Sequence, residues 1–415
     1  MKFFRKYFTL LIAVLITVSI SVPAYAHDIT PFSDSGEIMS VAHFGNTMDY
    51  PAHSSEAVKS AFEIGADFVS VEIRKTADDV YVLSDSDNLG TITSDGYSML
   101  ISLLPYEQIK QLHLKTKSGA ASEFSPCELS DILKIAVAYD KSVIIDGAWE
   151  YKEDVFRLIT ECDAAENAII RTNKSAKEIK AFVSDTSSIC RVIGQYHGNI
   201  LFSARSYITS LSESGCSMIY LGTKNSFGVI FRSGVLSAFG KTGFSSRAAM
   251  KTYDEEESGG RPDSESTWDD LIDRGYSVIE TDRIADLTSY ITKLENERTS
   301  LFNLLGQAKS VDTAFLNSTS KKALESSISK SESKLTSIAS FKTLSLTKTE
   351  LNSALENKVT LDSPENSSKG VFSVTFGKVM AIVIVTAAIV AVQIYFYYMQ
   401  ADKKMPKFMK KRIKK

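Results

Sequence analysis

Three histidines and three carboxylates lie within short apolar runs or in the segments that follow them, where their side chains could be combined at one site. They are His43, His53, Glu72, Asp85, Asp146 and His197. Imidazoles and carboxylates together are ligands for a divalent ion, whereas Ca²⁺ or Mg²⁺ would prefer the carboxylates alone. The alternative is a structural role, since His53 could mark a helix start and His197 could be a half-buried loop residue.

Strands and helices alternate along the chain in a way that would gather these six residues. The predicted strands are Ile38–Ala42, Phe68–Ile73, Ser142–Ile145, Ala168–Arg171, Cys190–Gln195, Ser217–Leu221, Arg247–Tyr253 and Tyr276–Glu280. Eight such repeats in about 250 residues predict an α/β fold of the TIM (β/α)₈ barrel type. Residues at the carboxyl ends of its strands would line one opening of the barrel, which we call the mouth. Val80–Leu83 predicts an extra hairpin strand. An open doubly wound sheet is the alternative, but no Gly-rich phosphate loop follows the first strand.

Residues 41–89 carry the densest set of motifs. They read VAHFGNTMDYPAHSSEAVKSAFEIGADFVSVEIRKTADDVYVLSDSDNL. This stretch resembles the opening of the glycerophosphodiester phosphodiesterase family, which has Ala-His-Arg-Gly, Pro-Glu-Asn-Thr, a helix, Gly-Ala-Asp, Glu-x-Asp, Thr-Lys-Asp-Gly and His-Asp. His43, Pro51 and Gly65–Asp67 keep the family spacing. The later GYSVIETDR, residues 275–283, is similar to the closing motif of the family, so the resemblance covers about residues 38–290.

The resemblance implies a barrel that hydrolyses phosphodiesters with the help of a divalent cation, Ca²⁺ or Mg²⁺. In the family, carboxylates at the ends of early strands bind the metal, two histidines act as general acid and base, and an arginine grips the phosphate. The metal and the arginine neutralise the anionic ester. A glycerol hydroxyl can then attack phosphorus while imidazole transfers the proton.

Each residue that binds metal, binds phosphate or transfers a proton in the family can be assigned to a position of this chain, and most of these positions are substituted. Retained or nearly retained are the first catalytic histidine (His43) and two metal-ligand carboxylates (Glu72 and Asp146). Substituted are the arginine (Phe44), the first metal ligand (Ser70), the second catalytic histidine (Asp85) and a downstream lysine (Ala148). Loss of one imidazole alone slows proton transfer about 10²–10⁴-fold. The resemblance therefore implies a degenerate active site.

We expect four residues to contact a ligand at the mouth: Phe44, His53, Trp149 and His197. Phe44 and Trp149 could stack on a sugar or lipid head group, although core packing is equally open for Trp149. The main prediction is a catalytically impaired barrel that binds a phosphate- or sugar-bearing small molecule, an envelope polymer or a protein. One alternative is an active metal-dependent hydrolase of glycerophosphodiesters or polyol phosphates. Another is an envelope protein that binds partners through its helical region.

The two ends of the chain predict export and membrane anchoring. Residues 1–26 have a basic start, an apolar run and Ala24-Tyr25-Ala26, as in a signal peptide. Residues 379–399 form an uncharged run that is long enough to span a bilayer, and the basic tail 400–415 predicts a cytoplasmic end. The expected topology is a single-pass type I protein of the cell membrane, with the barrel (residues 27–290) extracellular.

Between barrel and membrane helix the composition shifts to Ser, Lys, Leu, Glu and Ala without a strand signal. We expect a small all-α spacer over residues 291–361, with helices near Leu287–Lys309, Ser320–Ser337 and Thr347–Lys358. A polar linker follows at residues 362–378. A protein-binding role for the spacer is the alternative to a simple stalk.

Charge and cysteine content restrict the partners and the covalent structure. The chain has 47 basic and 50 acidic residues, and without the signal peptide and tail 36 basic and 49 acidic residues remain. This acidic excess disfavours nucleic acid as a partner. Cys127, Cys162, Cys190 and Cys216 match no zinc pattern, and zero, one or two disulfides are all open.

Overall fold

The computed structural model describes residues 37–95, 98–185, 191–197, 206–211, 218–222, 247–251 and 262–360, with only the backbone at 185, 197, 222 and 247–251. The predicted signal peptide (1–26), linker (362–378), membrane helix (379–399) and tail (400–415) lie outside these residues. No helix of the described part is long and apolar enough to cross a membrane. Cys127 and Cys162 carry free thiols, whereas Cys190 and Cys216 lie outside the described residues.

Eight parallel strands close into a ring. The strands of the fold are β1 Met39–His43, β2 Phe68–Lys75, β3 Tyr81–Leu83, β4 Ser142–Asp146, β5 Ala168–Thr172, β6 Arg191–His197, β7 Met218–Gly222, β8 Arg247–Lys251 and β9 Val278–Thr281. The ring runs β1-β2-β4-β5-β6-β7-β8-β9, and β9 pairs back to β1. Strand β3 pairs antiparallel with β2. Together with the helices between them, these parallel strands fit the predicted TIM barrel.

Continuous apolar runs form the strands because each barrel strand is covered on both faces. In β4, Val143 and Ile145 belong to the cluster that packs against the surrounding helices. Ile144, between them, packs inside the ring with residues such as Val41 and Phe68. All eight predicted barrel strands overlap an observed strand, and the predicted extra strand is β3.

The helices are α1 Ser55–Ile64, α2 Leu89–Ile92, α3 Tyr106–Ile109, α4 Leu129–Tyr139, α5 Lys152–Glu161, α6 Ala176–Asp185, α7 Glu265–Asp273, α8 Ile284–Lys309, α9 Ser318–Leu335 and α10 Phe341–Glu356. Single 3₁₀ turns lie at Ile101–Leu103, Ala148–Tyr151 and Thr313–Phe315. The ends of α1 show how the sequence sets such boundaries. Ser54 Oγ accepts from the backbone N–H of Ala57 at 3.1 Å, and Gly65 ends the helix in the left-handed region.

In the described residues after β9, up to residue 360, three helices follow the barrel, and each overlaps one of those predicted for the spacer. Helix α8 begins three residues after β9 ends, so the predicted boundary at residue 290 falls inside it. Leu301 of α8 and Leu351 of α10 are fully buried. Among the described residues, those from 37 to Val311 form one compact unit together with Lys321–Asn357, and residues 312–320 belong with 358–360 to a second.

Candidate functional site

Polar residues from several strands meet at the carboxyl end of the barrel. His43 ends β1, Asp146 ends β4, and Glu72 lies opposite Asp146 in the β2–β4 register. A cavity of about 690 Å³ is lined by these three residues and by Trp149 and Arg171, among others. With Phe44, which also lines this cavity, the structure brings five of the predicted site residues to one mouth.

A buried arginine, Arg171 of β5, ties two carboxylates of the mouth together. Its Nε donates to Asp146 Oδ1 at 2.8 Å and its Nη2 to Asp146 Oδ2, while its Nη1 donates to Glu280 Oε2 at 2.6 Å. The guanidinium also lies 4.4 Å from the centroid of the Tyr220 ring. Burial alone would lower the pKa of Arg171, but the two carboxylates raise it well above its ordinary value. Arg171 is a permanent cation that is neutralised inside the protein.

Ser70 belongs to the same network. Its hydroxyl donates to Glu280 Oε1 at 2.7 Å, and the two residues are 0% and 1% exposed. A glutamate at position 70, as in the family pattern, would place a second buried carboxylate against Glu280, and the two like charges would repel each other. Serine suits this network, while Glu280 supplies from β9 the carboxylate that position 70 lacks.

Glu72, a predicted metal ligand, is paired with Arg74 of its own strand. Arg74 Nη2 lies 2.8 Å from Glu72 Oε1, and Arg74 Nε lies 2.7 Å from Asp87 Oδ1. Burial raises the pKa of Glu72, and the hydrogen bond from Arg74 opposes that rise. Within the described part of the chain, Glu72 Oε2 accepts no hydrogen bond. The Glu72 side chain is 30% exposed and lines the cavity, so a ligand there could reach its carboxylate.

His43 keeps the arrangement of a general acid or base. Its Nδ1 lies 2.9 Å from Asp282 Oδ1, so that the carboxylate orients the ring and selects its tautomer. Asp282 is held in turn, because its backbone N–H donates to Asp263 Oδ2 at 3.1 Å. The other oxygen of Asp263 accepts from the Thr281 hydroxyl at 2.6 Å.

Asp85, at the position of the second catalytic histidine of the family, is paired with a histidine from another segment. His53 Nε2 lies 3.2 Å from Asp85 Oδ1. This hydrogen bond lowers the pKa of Asp85, and burial opposes it. His53 is 4% exposed, and its Nδ1 is buried with no hydrogen-bond partner in the described structure. Neither ring nitrogen of His53 is placed to exchange a proton with a ligand.

Phe44 contacts both imidazoles. Its ring centroid lies 3.8 Å from that of His43 and 4.7 Å from that of His53. Phe44 and His53 have φ angles of 59° and 69°, in the left-handed region where most side chains are strained. Phe44 lines the 690 Å³ cavity and also a second cavity of about 380 Å³ that contains His53 and Asp85.

The residues of the mouth do not fit a divalent cation in this arrangement. Such an ion needs several oxygens at about 2.0–2.6 Å. Asp146 presents both of its oxygens to Arg171, and Glu72 presents one to Arg74. In the described ranges no group of three or more metal-binding side chains occurs. Binding of Ca²⁺ or Mg²⁺ by Glu72 and Asp146 stays a prediction.

Two residues of the mouth, Arg171 and Glu280, are absent from the sequence-based site predictions. Their signal is a single charge within an apolar strand, because charged residues in such positions are almost always paired. Of the predicted ligand contacts, Trp149 lines the cavity but also packs edge-on against Phe182, with ring centroids 5.5 Å apart. His197 ends β6, and only its backbone is described.

Comparisons with known proteins agree with this architecture. The model of the glycerophosphoryl diester phosphodiesterase family matches residues 43–207. A glycerophosphoryl diester phosphodiesterase from Parabacteroides distasonis is similar in structure, with a TM-score of 0.52 and 18% identity over 63% of this chain and 89% of that one. A candidate enzyme of the same description from Agrobacterium tumefaciens has a TM-score of 0.50 and 13% identity over 62% of this chain and 98% of that one.

No curated protein sequence matches the chain significantly. At these identities the structural similarity shows the fold alone, whereas the family model matches the sequence itself. The match begins at His43 and includes Glu72, Asp146 and Arg171. Residues 43–207 therefore resemble the glycerophosphoryl diester phosphodiesterase family, as the motifs of the sequence predict.

Proposed function

We propose that the barrel binds a sugar- or polyol-bearing head group at its mouth and does not hydrolyse phosphodiesters. The supporting observation is that the charged groups of the mouth are paired with one another. The pairs are Asp146–Arg171–Glu280, Glu72–Arg74 and His53–Asp85. In the 690 Å³ cavity, the charged side chains of these pairs are thus already bound by other parts of the chain, and His43 is bound by Asp282.

Hydrolysis would need charge stabilisation that this mouth does not offer. A phosphodiester is anionic, and removing one group that stabilises the transition-state charge slows such reactions about 10²–10³-fold. Phe44 carries no charge where the family pattern has arginine, and Arg171 is turned towards two carboxylates. In the 690 Å³ cavity, His43 could transfer a proton, but both basic side chains of the described lining, Arg171 and Lys174, already lie beside carboxylates.

The lining of the larger cavity favours a ligand with hydroxyl groups over one held by its phosphate. The described lining residues include four carboxylates and two basic residues, namely Glu72, Asp146, Glu150 and Glu280 with Arg171 and Lys174. Lys174 Nζ lies 3.3 Å from Glu150 Oε1, so both basic residues already have anionic partners. Glu72 Oε2 can accept a hydroxyl, and Trp149 offers apolar surface.

The same proposal includes membrane anchoring. A signal peptide at residues 1–26 and a membrane helix at residues 379–399 would place the barrel on the outer surface of the cell membrane, near envelope polymers that carry sugars and polyols. The basic tail at residues 400–415 would keep the C-terminal end of the chain in the cytoplasm. Support comes from the sequence of these segments.

The test combines a hydrolysis assay with a binding assay on the detergent-solubilised full-length protein. Glycerophosphocholine with Ca²⁺ or Mg²⁺ should release no more choline with the wild type than with the His43→Ala variant. Thermal unfolding with a neutral oligosaccharide, chitotetraose, should show a raised Tm that glycerol 3-phosphate does not produce. Trp149→Ala should weaken this binding about tenfold, as loss of a buried aromatic contact does.

An active hydrolase is the second candidate, and the His43–Asp282 pair favours it. Turnover of glycerophosphocholine that requires a divalent cation and disappears in both His43→Ala and Glu72→Ala would establish hydrolysis. That result would overturn the binding proposal. Stabilisation by glycerol 3-phosphate but not by chitotetraose would overturn the preference for a hydroxyl-bearing ligand.

A further inference from the structure

We propose that Arg171 is a resident cation that takes the place of a divalent metal ion at the mouth of this barrel. The domain would then fold and keep its mouth in shape without a metal. This role goes beyond ligand binding, because it concerns how the carboxylates of the mouth are neutralised whether or not a ligand is present.

The geometry of Arg171 is that of an ion between its ligands. All three guanidinium nitrogens donate to carboxylates, and the side chain is 6% exposed. The two N–H···O bonds to Asp146 are parallel and bidentate, the strongest arrangement for this pair of groups. Glu280 receives Nη1 at 2.6 Å and also lies 3.4 Å from Nη2. One cation thus joins β4 and β9, which are separated by β2 and β1 around the ring.

The carboxylates explain why a cation is required at this place. Glu280 is 1% exposed and Asp146 is 19% exposed, so their negative charges are largely removed from water. Two such charges held together need a positive partner, since each would otherwise be protonated or would destabilise the fold. Ser70 completes the arrangement by donating to Glu280 Oε1 instead of adding a third carboxylate.

Removal of the guanidinium should leave a site with the composition that divalent cations prefer. The oxygens of Asp146 and Glu280 converge on a single group, so an ion in its place would be within reach of both. Glu72, the register partner of Asp146, could add a third carboxylate. Carboxylate oxygens are the preferred ligands of Ca²⁺ and Mg²⁺ and also suit Mn²⁺.

The experiment measures metal binding by the full-length protein and by Arg171→Met, which keeps an unbranched side chain but removes its charge. Isothermal titration with Mn²⁺ and Ca²⁺ should show no saturable binding to the wild type. Arg171→Met should bind with a Kd of about 10⁻⁴–10⁻³ M, the range of weak carboxylate sites. Its Tm should rise with metal, whereas the wild-type Tm should not change.

Two controls separate a metal site from a general effect of losing an arginine. Arg191→Met removes an arginine from the first residue of β6, at the opposite end of the barrel, and should gain no metal affinity. Arg171→Met combined with Glu280→Gln removes the cation and one carboxylate together and should bind metal more weakly than Arg171→Met alone.

Each outcome decides the question. Saturable Mn²⁺ binding to the wild type at the same affinity, or no gain of binding in Arg171→Met, would overturn the role of Arg171. If Arg171→Met is unfolded without metal, recovery of its native circular dichroism with Mn²⁺ but not with Na⁺ at equal ionic strength supports the proposal. Failure of Mn²⁺ to restore the fold overturns it.

Discussion

Asp85 lies where the family pattern has histidine, and His53 lies where it has the asparagine of Pro-Glu-Asn-Thr. An imidazole is thus present beside position 85, but on another segment of the chain. It does not restore the chemistry, because Nε2 of His53 contacts Asp85 and its Nδ1 is buried. An imidazole acts as acid or base only where one nitrogen reaches the reacting group. The pair is therefore structural.

Asp85→Asn should remove a stabilising charge whose effect depends on pH. The lowered pKa of Asp85 means that the folded state favours its ionised form. This stability is fully present above the ordinary aspartate pKa of about 3.9 and is lost as the pH falls through the lower folded value. Urea unfolding from neutral to acid pH should show the wild type more stable than Asp85→Asn at neutral pH and equal to it at the acid end. A difference that persists at the acid end would contradict the assignment.

At the scale of elements, the connection from β1 to α1 fixes the orientation of His43 and Phe44. Gly45 has a φ of 92°, and a Cβ there would lie 2.5 Å from the backbone carbonyl of Ala57 in α1. The backbone N–H of Asn46 donates to that same carbonyl at 2.8 Å. The loop is thus pressed against the helix backbone, and only glycine fits.

Gly45→Ala should destabilise the fold more than Gly65→Ala. Gly65 also has a positive φ, 107°, but a Cβ there would have no neighbour within 4 Å. Gly65→Ala should therefore show the backbone strain alone, about 1 kcal/mol. Gly45→Ala should lose about 1–3 kcal/mol more from steric overlap. Urea unfolding of the two variants provides the comparison, and equal losses would show that the close approach to Ala57 is unimportant.

The elements were predictable from sequence to a greater degree than the site. Barrel strands are apolar over consecutive residues, so a run such as Ser142–Ile145 can be recognised as a strand from the local sequence. The ion pair between Arg171 and Glu280 joins residues 109 positions apart. A single charge in an apolar run indicates that a partner exists but not which one. The family resemblance and the predicted barrel placed Glu72 and Asp146 at one mouth, but did not predict that arginines bind them.

At the scale of the molecule, helices after the barrel belong to the same compact unit as the barrel itself. Asp273, at the end of α7, accepts from the backbone N–H and hydroxyl of Ser340 at 3.1 and 2.9 Å, just before α10 begins. Tyr290 of α8 donates to Asp269 of α7 at 2.8 Å, and burial raises the pKa of its phenol. The shift in composition near residue 291 marks the end of the strands rather than the end of this unit.

The most direct test of a self-neutralised mouth is a crystal structure of the wild-type protein grown with Mn²⁺, with its anomalous scattering recorded. We expect the Arg171 guanidinium between Asp146 and Glu280, and no anomalous peak within coordination distance of Asp146 or Glu72. A manganese ion bound by these carboxylates, with Arg171 turned away from them, would contradict the account.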